Sequence, residues 1–134
     1  MDDTLLEPTA KYREATLEIG RWELFYSPRR GFGLTLAGEL TLGDETMKVN
    51  EITLCVAAAA SHYLSSHYTV EPDGIGVIDT ESCDQGVLIV APADPVTIFN
   101  LLESGHRPPL RMEGMLEDSG RYRITHMRFY VASK

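Results

Sequence analysis

Three segments of this chain alternate apolar and polar residues with a period of two, and each then slips by one residue. Ala15, Leu17 and Ile19 are apolar at odd positions, then Trp22, Leu24 and Tyr26 at even ones, with Gly20 at the switch. Met47 and Val49 give way to Ile52, Leu54 and Val56. Near the C-terminus Tyr122, Ile124 and His126 share one face, while Thr125, Met127, Phe129 and Val131 share the other. Because strand side chains alternate between faces, a one-residue slip requires a bulge, or a strand that leaves one face of the core and joins another. Gly20 is the natural place for the first. Together the slips predict sharply bent strands, as in a small closed or half-closed barrel or an orthogonal sandwich, which a flat two-layer sheet would not need. The competing reading is that these strands are buried on both faces at one end.

The remaining elements follow from turn chemistry. Pro109 to Leu116 and Arg121 to Val131 flank Glu117-Asp118-Ser119-Gly120, the composition of a hairpin that ends on a positive-φ glycine. Phe32 to Leu42 reads as a strand with Leu34, Leu36, Gly38, Leu40 and Leu42 on one side, entered through Ser27-Pro28-Arg29-Arg30-Gly31 and left through Gly43-Asp44-Glu45. Pro72-Asp73-Gly74 predicts a second hairpin, His67 to Glu71 with Ile75 to Thr80. The unbroken apolar run Gly86 to Ala91 predicts a central strand covered on both sides. Asp94 followed by Pro95 opens a helix over about 95–104, with Asp94 as its cap, Val96, Phe99 and Leu102, with Ile98 and Leu101, on its wide apolar stripe and Gly105 as its stop. Ala57 to Ala60 allows a second helical segment over about 57–64. The expected architecture is therefore mainly β (α+β), about 7–8 mostly antiparallel strands and one well-defined helix, in a single domain over 13–134 preceded by an arm over 1–12. A chain of 134 residues buries enough surface to form a core without staples.

Charge is distributed unevenly. The net charge is −8, and the 58 residues from Val49 to His106 contain eight acids and no Lys or Arg, whereas 107–134 carry a net +3. Mixed surfaces normally intersperse both signs, so this run predicts a negative face built on Glu71, Asp73, Asp79, Glu81 and Asp84. Such a face steers a basic protein partner, as an inhibitor or immunity-type protein would, and repels nucleic acid. An opposite reading uses Arg29, Arg30, Arg111, Arg121, Arg123 and Arg128, interleaved with Trp22, Tyr26, Phe32, Tyr122 and Tyr130, as an anion-binding platform of the oligonucleotide-binding-barrel type. The pairing of Trp22 with Leu24 and of Tyr122 with Ile124 places those aromatics in the core instead. A third reading, an oligomeric scaffold or accessory subunit, rests on the negative middle and positive end being self-complementary.

Catalytic signatures are absent: there is no nucleophile elbow, phosphate loop, dinucleotide fingerprint or His-Glu-x-x-His, which points away from an enzyme. A metal site from His62, His67 and Cys83, completed by Cys55 or Asp84, lacks the short ligand spacer that zinc sites use, so no metal or cofactor is implied. Two cysteines without a CxxC read as reduced, packed thiols, and an acidic start without a long apolar run reads as a protein that stays in the cytoplasm, with no membrane span.

Overall fold

The computed structural model describes residues 10–63, 75–81, 85–105 and 108–129. Seven strands, β1 (Lys11–Ser27), β2 (Gly31–Leu42), β3 (Glu45–Cys55), β4 (Gly76–Asp79), β5 (Gly86–Ile89), β6 (Leu110–Leu116) and β7 (Arg121–Phe129), close into a barrel in the order β1-β2-β3-β5-β4-β7-β6. The β6 strand pairs back onto β1, and every neighbouring pair is antiparallel except β3 with β5. Lys11 and Tyr12, expected in the arm over 1–12, belong to β1 and pair with Leu116 and Met115. The predicted strand His67 to Glu71 lies outside the described residues.

Each slip in the apolar pattern is a shift in strand register. Gly20 is the extra residue of β1 where its pairing with β2 jumps from Ile19 to Arg21. Asn50 and Glu51 of β3 stand against the single Ala37 of β2. Thr125 of β7 is left over where β6 passes from Glu113 to Gly114, and its hydroxyl donates to the Glu113 carbonyl at 3.3 Å. An inserted residue bends its strand and adds right-handed twist, which is how so few strands close on themselves. The β6–β7 turn is as expected, with Gly120 at φ +89 donating its N–H to Glu117 O at 3.0 Å.

The interior is filled by side chains. Leu17, Leu34, Leu36, Leu40, Ile52, Leu54, Ile78, Leu88, Leu110, Met112, Tyr122 and Ile124 are all fully buried, each apolar side chain contributing about 1.5–3 kcal/mol by leaving water. The Tyr122 hydroxyl is satisfied there by donating to Arg13 O at 2.8 Å. Outside the wall, a 3-10 turn (Ala57–His62) lays Ala59 and Ala60 over Cys55 and Val87. That second cluster explains why β5 lacks alternation: Leu88 faces the lumen while Val87 faces this cover.

The single described α-helix, α1 (Asp94–Glu103), buries Pro95, Ile98 and Leu102, and its Ile98 and Leu102 join the barrel core. It starts one residue before the expected position, with Ala93 in the flanking place. The Asp94 carboxylate turns back to accept the Ala91 N–H at 2.9 Å and so fixes the preceding turn instead of capping the helix. Gly105 at φ +88 ends it. A polar bond ties α1 to the wall, Trp22 Nε1 donating to Glu103 Oε2 at 2.7 Å. Trp22 is the chain's single tryptophan, so its fluorescence reports this contact directly. Glu103→Ala is expected to cost about 1 kcal/mol and to shift Trp22 emission to the red; an unchanged midpoint and spectrum would show the bond to be energetically idle.

Candidate functional site

Strand β1 runs past the rim of the barrel with β2, and the two end in the turn Pro28-Arg29-Arg30 before Gly31 at φ +79. Tyr26 and Phe32 are register partners at this tip, with ring centroids 4.9 Å apart. They are 61% and 39% exposed, and the described residues hold only one other exposed large hydrophobic, Tyr12. Arg29 and Arg30 are exposed beside them. One residue earlier, Phe25 covers Gly33 so closely that a Cβ there would meet its ring at 2.2 Å, and the same ring packs on Tyr63 with centroids 5.7 Å apart. The 3-10 turn is thereby held against the hairpin, and a cleft of about 200 Å³ opens between them, lined by Arg29, Arg30, Val56, Ala58 and Ala59.

Among the aromatics named from the sequence, Trp22 packs against the barrel core and Tyr122 is fully buried, whereas Tyr26 and Phe32 are not core residues. Their alternation is correct, but period two reports which way a side chain points and not whether the strand still has a partner layer above it.

Of the five proposed carboxylates, Glu71, Asp73 and Asp84 lie outside the described residues. Asp79 stands directly opposite Arg121, because β4 pairs with β7, and its Oδ1 accepts the Glu81 N–H at 3.0 Å. Glu81 is exposed, its side chain lying over Gly120. Arginines from the basic end thus border the stretch that has none of its own. Other carboxylates the sequence did not single out are brought together by pairing: Glu18 faces Glu39 across β1–β2, and Glu14 faces Glu113 across β1–β6. Like charges directly opposite oppose folding, and nothing in one-dimensional spacing reveals them.

The arginines of the final hairpin divide into two sets. Arg123 pairs with Glu117, Nε to Oε2 at 2.7 Å. Arg111 and Arg128 are register partners, with Thr16 beyond Arg111, and together with Glu14, Glu113 and His126 they border a shallow cleft of about 130 Å³. Within it Glu113 accepts from the Tyr12 hydroxyl and lies 3.7 Å from Arg128 Nη2. That hydrogen bond, with nearby carboxylates, pushes the Tyr12 phenol up to about 12. Opposite charges alternate across this cleft, so it presents no uniform field to a polyanion.

Cys55 is buried in the cluster under the 3-10 turn, and burial pushes its thiol up to about 11, which makes it inert as a nucleophile. His67, Cys83 and Asp84 lie outside the described residues, and only the backbone of His62 is described. Among the described residues no group of three or more His, Cys, Asp and Glu gathers to hold a metal, and no helix is long and apolar enough to cross a membrane. Comparisons with protein-family models, with curated proteins and with solved structures give no significant match.

Proposed function

We propose that this protein is a non-catalytic protein-binding module whose anchor is the tip of the β1–β2 hairpin. The observation that carries the reading is the exposed Tyr26–Phe32 pair beside Arg29 and Arg30. Aromatic and arginine side chains dominate the energetics of protein interfaces, and a contacting ring pair held by two paired strands loses little freedom on binding.

A photo-crosslinker in place of Tyr26, used in extract of the native host, tests this reading. Crosslinking to a discrete protein is expected, competed by excess wild-type chain and not by Tyr26→Ala/Phe32→Ala. No crosslink, or equal competition by the double variant, removes the tip as the anchor. The acidic-face reading, favoured by the exposed Glu81 beside Asp79, gives the converse pattern in the same experiment. A basic protein would crosslink from position 81, salt would abolish the product, and Tyr26→Ala/Phe32→Ala would compete as well as wild type.

A further inference from the structure

We infer that the partner segment seated at the hairpin tip is an extended acidic peptide in which carboxylates alternate with apolar side chains; this inference rests on the tip being the contact surface. The cleft beside the tip sets two kinds of wall against each other. Arg29 and Arg30 supply the guanidinium groups, and Val56, Ala58 and Ala59 supply an apolar floor, around a volume of about 200 Å³. That space suits one aliphatic side chain with a carboxylate next to it, since guanidinium forks pair with carboxylates and a methyl-lined floor offers no hydrogen bond to a polar group. The tilted, contacting Tyr26 and Phe32 rings, on the flanks of the same turn, extend the apolar surface for a further residue of the segment.

Charge beyond the cleft limits what can be bound. Along the wall from the tip, the next exposed ionisable residues are Glu23 on β1 and Glu51 on β3, and both line one cleft with Arg21 and Asn50. A single-stranded nucleic acid needs a cationic track that follows its backbone for several phosphates. Here the two arginines give way to carboxylates, so a long polyanion is repelled where a short acidic segment would already have ended. A basic peptide is repelled at the arginines themselves.

The test follows backbone amide shifts of the isotope-labelled full chain as three probes are added: the blocked pentapeptide Glu-Leu-Asp-Leu-Glu, its Lys-Leu-Lys-Leu-Lys counterpart, and oligothymidine. The acidic peptide is expected to move the amides of Arg29 to Gly31 and Val56 to Ala59, with an affinity about tenfold weaker in Arg29→Glu/Arg30→Glu and at high salt, while the other two probes leave them in place. Both arginines are exposed at a turn, so this variant keeps the fold. The inference is overturned if the lysine peptide or oligothymidine moves these amides as strongly, if the acidic peptide moves none of them, or if the double variant binds it equally. Loss of self-association in Arg29→Glu/Arg30→Glu, seen by sedimentation, would overturn it too, by making a second copy the occupant. These failures are separable from that of the tip itself: the anchor falls on the crosslinking experiment, if no product forms or if Tyr26→Ala/Phe32→Ala competes as well as wild type.

Discussion

Gly38→Ala is expected to be the most damaging single methyl that can be added to this barrel. A Cβ at Gly38 would sit 1.9 Å from Glu18 O and 3.0 Å from both Glu18 C and Gly20 N, all backbone atoms of β1. No rotamer change relieves such a contact; the strands must part. Strand β1 has little room to move, because Leu17 and Ile19 are seated in the core and its other edge is held by β6 as far as Leu17. The cost should exceed about 3 kcal/mol, a large fraction of the 5–15 kcal/mol typical of a whole domain. Thermal unfolding should move down by about 10 °C or more. The informative control is Gly20→Ala, at the extra residue itself, whose Cβ would meet nothing nearer than Ala37 O at 3.8 Å. That variant should stay within about 0.5 kcal/mol of wild type. If both variants melt alike, the close approach of β1 and β2 is not what the glycine serves. Gly114, with Arg123 O only 2.0 Å from its would-be Cβ, should behave as Gly38 does.

Stability is expected to collapse on the alkaline side, in two stages. Burial pushes the Cys55 thiol up to about 11, against about 8.5 for a thiol in an unfolded chain. It also raises the Tyr122 phenol well above its usual value near 10. Both groups hold their proton more tightly when folded, so their contribution is complete below the unfolded value and erodes as pH climbs toward the folded one. Between about pH 8.5 and 11 the unfolded chain has released the Cys55 proton and the folded chain has not, which removes about 3 kcal/mol. Above about pH 10 Tyr122 adds a second loss, so the combined slope steepens. Urea titrations from pH 7 to 11 should show the midpoint falling in that order. Cys55→Ala should flatten the first stage and Tyr122→Phe the second, whatever each does to the level at pH 7. Unaltered pH slopes in both variants would mean that neither proton is held by burial.

How far the sequence foretold this molecule depends on what a period of two can encode. The slips at Gly20, between Val49 and Ile52, and at Thr125 appear as shifts of register because the core admits only one face of each strand, so an extra residue has to show. The helix and its Gly105 stop, the Gly120 turn and the doubly covered β5 were legible for similarly local reasons. The sequence assigned the special role to Gly20, however, while the position that cannot accept a side chain is Gly38, one strand away. Which strands not consecutive in the chain become neighbours was not legible either. Pairing of β4 with β7 sets Arg121 opposite Asp79, so a run without cations in sequence is not a region without cations in space. The same limit hid the exposed ring pair at the tip, since nothing in the alternation of Trp22, Leu24 and Tyr26 says where the barrel ends.

Seven is an odd number, and that has a consequence for the closed wall. Around a ring of strands, direction can reverse at every step only if the count is even; an odd ring needs at least one place where two neighbours run the same way. Here that place is β3 against β5, four residues long, Ile52 to Cys55 beside Gly86 to Ile89. Parity therefore fixes a seam, and it rests on slanted, less favourable bonds than the rest of the circumference. The 3-10 turn lies across it from outside, with Ala59 and Ala60 packed on Cys55 and Val87, one residue from each side of the joint. What looks like a detour in the chain is a patch over the one interval that alternating strands could not close.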